Sequence, residues 1–506
     1  MFEIINVTDR SVTMKFNNNE CYKQSKDYEI FIDGNLYSKS DKNIFSIYGL
    51  KADQEYEILV KKNEDEYSCK VKTKKYSEVI EINIDEFSDE EKADCTKTVQ
   101  EKIDDAKKGS LICFSKGIYN LRNLYLKDDI DLYIDNESTL NFIGNRENLD
   151  VLKSSSDEII LWEGTEDDVY ASIINIISAE NVTIFGEGTI EGNGSFDYWW
   201  DDVKVKKGSW RPYLIHIINS KNISLYDVKL KNSPSWTVHP VLSTDLRFVN
   251  IKINNPHNSP NTDGINPEFC KDVLIQGVKF TLGDDCIALK AGKYDIAKKL
   301  NKLTENVKID NCLMERGHGA VVIGSEMSGG IKNIDISNCY FYDTDRGVRI
   351  KTRRGRGGKI TNIRVNNVIM DSVLNVFVIN NYYFCDEDGK TEYVYSKEKY
   401  PVTDETPFIE GISIENVEAI NTKVSGIYIY GLPELPVKNV DLKNIKISFS
   451  DEDYYDYPAM LSYQEKVTRK ATFLRNIDKL TIENNKYDNY LGEEFDIDES
   501  ALIIEN

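Results

Sequence analysis

A four-residue phrase recurs along this chain, and it limits the possible folds more than any other feature. Asn181-Val182-Thr183-Ile184 is echoed by Asn222-Ile223-Ser224-Leu225, Asp245-Leu246-Arg247-Phe248, Asp272-Val273-Leu274-Ile275 and Asn306-Val307-Lys308-Ile309. It returns as Asn333-Ile334-Asp335-Ile336, Asn362-Ile363-Arg364-Val365, Gly411-Ile412-Ser413-Ile414 and Asn439-Val440-Asp441-Leu442. The anchors Leu246, Val273, Val307, Ile334 and Ile363 are spaced 27, 34, 27 and 29 residues apart. Self-similarity at such a period signals a stacked architecture. The phase holds within repeats: Val273, Ile275, Val278, Phe280 and Gly283 align with Val307, Ile309, Cys312, Met314 and Gly317. Apolar residues alternate at period two and β-branched types dominate, so each repeat offers short strands rather than helices. One such coil cannot bury its apolar face alone, but a stack can, so the expectation is a parallel β-solenoid. The period excludes helical solenoids, and no leucine-rich pattern is present. Cys312 and Cys339 fall at one inward position of adjacent coils and read as core.

Residues 1–76 read differently. Ser11–Phe16, Tyr28–Ile32 and Tyr56–Val60 alternate at period two, separated by turn signals such as Asp33-Gly34-Asn35. The stretch from Tyr48 to Tyr56 resembles the loop before a late strand of fibronectin type III domains, which implies a small β-sandwich acting as a spacer or packing module. The solenoid domain is expected over 77–506. It opens with an amphipathic helix around Val99 and Ile103, N-capped by Asp94 or Thr96. Gly117-Ile118-Tyr119 follows, and helix plus strand resemble the start of pectin-lyase-like β-helices.

Net charge of −22 repels nucleic acid and anionic membranes. No apolar run reaches the roughly 20 residues of a membrane span. Nine scattered cysteines without CxxC spacing read as reduced thiols, not as a disulfide framework or a zinc site. With no basic-then-apolar segment at the N-terminus, these features favour the cytoplasm.

With the phase fixed, the polar residues that break the pattern can be placed. Asp284 stands 11 residues after Val273, and His318 stands 11 after Val307. Stacking therefore sets Gly283-Asp284-Asp285 beside Gly317-His318-Gly319. The insertion His257–Thr262 can carry Asp263 to the same edge. Arg349 and Lys351 share a strand face, since side chains alternate. Three carboxylates, one imidazole and two cations thus converge on one strip. Arg349, Lys351, Arg353, Arg354, Arg356 and Lys359 form a cationic island within 11 residues, the sign that an acidic sugar needs. Trp199, Trp200 and Trp210, followed by Arg211, form an aromatic loop that reads either as a sugar-stacking wall or as packing.

Asn261-Thr262-Asp263, Gly283-Asp284-Asp285, Gly317-His318-Gly319 and Arg349-Ile350-Lys351 resemble, in order and spacing, the four motifs of the polygalacturonase family of glycoside hydrolases. Asn232-Ser233-Pro234-Ser235-Trp236 and Gly324-Ser325-Glu326 are similar to it as well, and the resemblance spans about residues 80–490. It implies a right-handed parallel β-helix and inverting hydrolysis of α-1,4-galacturonosidic bonds. Asp284 would be the general acid, Asp263 and Asp285 would hold the water, and His318 would tune the acid. Asn261, Trp210, Arg211, Arg349 and Lys351 would bind substrate, the two cations gripping a galacturonate carboxylate. A family tyrosine is expected at Tyr382 or its neighbour Tyr383. Like-charge repulsion in the Asp284-Asp285 pair is expected to keep one proton available. Inversion implies opposed carboxyl groups roughly 6.5–9.5 Å apart. No metal or organic cofactor is implied, and the partner is a pectic oligo- or polysaccharide. Three alternatives remain: rhamnogalacturonan or xylogalacturonan hydrolysis, a calcium-dependent lyase on the same fold, and a non-catalytic sugar-binding solenoid.

Overall fold

Each repeat phrase begins at a sharp corner of the backbone. In the computed structural model, which describes residues 2–155, 158–385, 387–498 and 502–505, Asn181, Asn222, Asp245, Asp272, Asn306, Asn333, Asn362 and Asn439 all have φ between +52° and +59°. Asn and Asp visit this left-handed region at lower cost than other side-chain-bearing residues. Their amides also interlock along the stack. Asn306 Nδ2 donates to Asp272 Oδ1 at 2.8 Å, Asn333 to Asn306 at 3.0 Å and Asn362 to Asn333 at 3.0 Å. The first letter of the repeat is therefore both a turn residue and a rung of a ladder.

From that corner the chain enters parallel strands in strict register. Leu246 pairs with Val273, Val273 with Val307, Val307 with Ile334, and Ile334 with Ile363. A second face follows, through Lys229–Lys231, Lys252–Asn254, Lys279–Thr281 and Leu313–Glu315. A third runs through Ile215–Ile218, Val238–Val241, Asp285–Leu289, Gly319–Gly324, Arg346–Lys351 and Asn375–Asn380. These faces wind as a right-handed parallel β-helix. Val273, Ile275, Phe280, Ile287, Cys312 and Cys339 all point into one continuous core. Helix Thr96–Asp105 buries Val99 and Ile103 against the first coil. Cys95 occupies its N-cap position with no side-chain cap, while Asp94 Oδ1 accepts from the Thr96 amide at 3.0 Å.

The N-terminal module has two antiparallel sheets. One contains Phe2–Val7, Ser11–Phe16 and Ile44–Tyr48; the other contains Lys23–Ile32, Asn35–Lys42, Glu55–Lys62 and Asp65–Lys72. Val12, Met14, Tyr28, Ile30, Ile58 and Val60 fill the space between them. The next strand, Glu78–Ile82, already pairs in parallel with Ser110–Phe114, so pairing changes character between Lys72 and Glu78.

The module is docked along a second row of corners on the β-helix. Ser46 and Tyr48 donate to the Asp227 carboxylate at 2.7 and 2.6 Å, and Asn43 donates to Asn311 at 2.8 Å. Ile44 packs with Phe185, Tyr226 and Val249. Lys15 reaches Asp310 at 2.6 Å, where Gln276 and Asn338 also donate. Removing one partner of a buried pair strands the other charge. Asp310→Ala is therefore expected to lower stability by about 3–5 kcal/mol, read as a lower urea midpoint, and Lys15→Met in the same chain should recover part of it. An unchanged midpoint would show that the pair does not hold the module.

Candidate active site

The register of the third face brings the motifs together. Asp285 pairs with Gly319, so Asp284 stands beside His318 on the next coil. The bridge between Ile265 and Ile287 sets Asp263 beside Asp285 on the coil before. Val322 pairs with Arg349 and Gly324 with Lys351, which adds the two cations from the coil after. Glycine is required at two of these turns. A Cβ on Gly283 would lie 2.2 Å from the His257 carbonyl oxygen. Gly317 has φ +99°, and a Cβ there would lie 2.4 Å from the Asp284 carbonyl oxygen.

Asp263, Asp284 and Asp285 each place an oxygen within 4.8 Å of the others. Asp284 and Asp285 are neighbours in sequence, and Asp263 joins them from the adjacent coil. The 4.8 Å bound concerns the nearest single oxygens, not the carboxyl separation that distinguishes inversion from retention, and it makes the three aspartates one cluster. The side chain of Asp284 is 19% exposed, against 3% for Asp285. Asp263 is also buried. Asp284 is the most exposed of the three.

Asp263 and Asp284 are shifted in opposite directions. Burial and the charges of Asp284 and Asp285 push the Asp263 carboxyl well above the usual carboxylate range. Asn266 Nδ2 donates to its Oδ2 at 2.8 Å. Burial also works to raise Asp284, but the hydrogen bond and charge of His318, helped by Lys351, overcome it and hold the group down at about 2. The same bond, His318 Nδ1 to Asp284 Oδ1 at 3.3 Å, carries the imidazole up to about 9. The backbone amides of Asn261 and Asp285 donate to Asp284 as well, at 3.2 and 2.9 Å. Like-charge repulsion is thus relieved at Asp263, and Asp284 shares the proton of His318.

Lys351 Nζ lies 2.8 Å from Asp285 Oδ2, both groups buried. Lys351 therefore neutralises a carboxylate of the site itself. Asp285 Oδ1, Asn266 Oδ1 and Arg349 Nη2 are buried polar atoms without a partner in the protein. Buried donors and acceptors are nearly always paired, so these are the atoms positioned to meet water and substrate. Three clustered carboxylates could in principle hold a cation, but His318 and Lys351 already bring positive charge to two of them.

Residues 159–458 match the model of glycosyl hydrolases family 28. An endo-polygalacturonase of Pectobacterium parmentieri is 30% identical over 364 residues, 69% of this chain and 87% of that one. A probable polygalacturonase of Vitis vinifera is 33% identical over 281 residues, and the chain spans only about half (55%) of that relative's length. The exopolygalacturonase structure from Thermotoga maritima shares 25% identity with a TM-score of 0.67, covering 82% of this chain and 93% of that one. The family 28 exopolygalacturonase of Yersinia enterocolitica, at 19% identity, has the same fold over 99% of this chain and 98% of its own, TM-score 0.74. The chain belongs to glycosyl hydrolase family 28.

Several expectations for this family 28 hydrolase need correction. Tyr382 is turned away from the aspartates, packing on Tyr430 with Lys397 3.2 Å from its ring centroid. Tyr383 is the one beside the site, its ring 5.4 Å from the Arg349 guanidinium and 5.5 Å from Lys351 Nζ. The cationic island is mostly internal. Arg354 is bound by Glu434 and by three carbonyls of residues 393–398, and Arg353 by Asp388, because this segment pins a long loop rather than lining a cleft. Trp199 and Trp200 are buried packing residues. Trp210 is half-buried, stacked on Trp162 with rings 2° apart and bonded through its N–H to Asp167 at 2.7 Å. Arg211 is buried and spends its guanidinium on the Pro234 and Pro260 carbonyls and on Asn261 Oδ1. It positions Asn261, whose amide binds Asp284.

A buried layer beneath the cluster escaped sequence reasoning. Lys290 pairs with Glu326 at 2.7 Å, and His239 Nε2 lies 3.0 Å from Glu268. Burial pushes Glu268 up to about 8 and His239 well below the ordinary histidine range. The signal available was polar residues at the ends of the third-face strands flanking the motifs.

The Asp284–His318 pair keeps its proton below the value of the imidazole and loses it as pH rises through about 9. The alkaline limb of kcat/KM is therefore expected above the ordinary histidine value of about 6.5. In His318→Asn, Asp284 must hold the proton alone, so that limb should move acidwards, towards the carboxyl range. An alkaline limb unmoved by the substitution would show that His318 does not share the proton.

Proposed function

We propose that this enzyme hydrolyses the α-1,4-galacturonosidic bonds of polygalacturonate or its oligomers, removing units from a chain end by inverting acid–base catalysis. The observation that carries the reading is the three-aspartate cluster, with one accessible member, next to the buried Arg349 guanidinium, whose Nη2 has no hydrogen-bond partner among the described residues. Asp284, the accessible aspartate, delivers a proton to the leaving oxygen as that bond breaks, drawing on the proton it shares with His318. Asp285 Oδ1, on the buried side, accepts a proton from the attacking water, while Asp263 orients that water. Arg349 Nη2 recognises the carboxylate of a galacturonate residue, with Tyr383 stacked on the guanidinium. General acid catalysis contributes about 10²–10⁴ in rate.

The preference for chain ends rests on the insertion before residue 211. Arg211 ties this insertion to Asn261, and Trp210 stacks on Trp162 of the hairpin Leu161–Glu166, so both pieces wall the site on the side of the earlier coils. The nine unpaired thiols suit a reducing compartment, where short oligomers are the available substrate.

Two measurements on polygalacturonate test this. Asp284→Asn should lower the release of reducing ends by about 10³-fold with little change in KM. The wild type should release mono- or digalacturonate from the first time point while polymer viscosity falls slowly. A rapid viscosity loss would place cleavage inside the chain, and ultraviolet absorbance from an unsaturated product would mean elimination instead of hydrolysis.

A further inference from the structure

A wide cleft lies away from the aspartates. It lies where the N-terminal module overhangs the second face of the β-helix and measures about 810 Å³, within the usual range for a ligand site. Six lysines line it, Lys23, Lys42, Lys229, Lys231, Lys252 and Lys279, against two carboxylates, Asp41 and Glu315. In a chain of net charge −22 this is a marked reversal of sign.

The arrangement is regular. Lys229 pairs in register with Lys252 and Lys252 with Lys279, so one ammonium group stands on each of three consecutive coils. The row is bounded by Thr189 before it and Leu313 after it. The module covers these three coils and extends past them, to Phe185 on the coil before and to Asp310 and Asn367 on coils after. Like charges directly opposite on neighbouring strands are destabilising. Lys279 is relieved by Glu315 at 3.0 Å, and Lys23 loosely by Asp41 at 3.8 Å. Lys42, Lys229, Lys231 and Lys252 make no ion pair among the described residues. Burial, together with Lys252 and Lys279, lowers the Lys42 ammonium from its ordinary value. Tyr22, Tyr340 and Tyr342 form the aromatic part of the lining. Such a stack, in which Lys229 and Lys252 make no ion pair among the described residues, suits an anionic ligand, and one that is extended, since the row crosses three coils.

We propose that this cleft is a second carbohydrate site, which holds a segment of an extended uronate chain. Its carboxylates lie along Lys229, Lys252 and Lys279, with its sugar faces against Tyr340 and Tyr342. The choice of a uronate rests on the function proposed above; the anionic site itself does not. The same three coils carry the turns leading to Trp236, Asp263 and Asp284, so the polymer is held one face back from the point of cleavage. Two linked sites raise the effective concentration of polymer at the aspartates without any new contact there.

The test uses the full chain carrying Asp284→Asn, with and without Lys229→Ser, Lys252→Ser and Lys279→Ser together. Equilibrium dialysis against tetragalacturonate should give two equivalents bound with the lysines present and one without them. High salt should remove the second equivalent, and neutral galactan should not occupy it. In the otherwise wild-type enzyme, the triple lysine variant should keep its rate on trigalacturonate, which also certifies the fold, and lose about fivefold in kcat/KM on polymer. A single equivalent with the lysines present would overturn the proposal. So would inorganic phosphate displacing the second equivalent at equal concentration, which would mean a simple anion site, or single-stranded polyadenylate binding there more tightly than the uronate. If the wild type releases no reducing ends from trigalacturonate, the functional reading fails separately, because the count of equivalents does not depend on turnover.

Discussion

Everything in this molecule depends on the register between neighbouring coils. Strands in a parallel stack lie about 4.8 Å apart, and a slip of one residue would turn every inward side chain outwards. Here the register is pinned twice per coil, by asparagines in the left-handed region and by the amide ladders they form. The core fills behind those corners. The candidate site depends on the same register, which brings Asp263 from one coil beside the Asp284-Asp285 pair of the next.

That proximity creates the electrostatic problem that the site then solves. Three carboxylates cannot all be ionised at such distances without compensation. Burial and its neighbours leave Asp263 with a raised value, His318 shares a proton with Asp284, and Lys351 pairs with Asp285. The compensation is uneven, and the unevenness separates the roles. The accessible aspartate is tied to a proton-bearing partner, while the buried one keeps an oxygen free on the inner side. Arg349 is left as the cation with capacity for an anionic sugar, supported by Tyr383.

Much of this was legible in the sequence, because the repeat phrase encodes the corner and the corner fixes the phase. Once the phase was set, counting 11 residues from Val273 and from Val307 placed Asp284 next to His318. Other features were hidden because they depend on neighbours remote in sequence. The proton moves to Asp263 because of burial and of charges on the next coil. Tyr382 and Tyr383 are adjacent, and only the course of the loop decides which one meets Arg349. Arg353 and Arg354 look like a binding patch until Asp388 and Glu434 are seen to take them. The lysine cleft exists only because the N-terminal module docks along the β-helix, through contacts such as Lys15 with Asp310 and Tyr48 with Asp227.

The central claim is that a water held on the buried side of the cluster displaces the leaving group that Asp284 protonates. The anomeric form of the newly released sugar reports this directly. Proton magnetic resonance of trigalacturonate during the first turnovers should show the β-anomer at the new reducing end before mutarotation, as single displacement at an α-linkage requires. Initial release of the α-anomer would mean that an aspartate attacks the sugar itself, and the account given for Asp263 and Asp285 would be wrong.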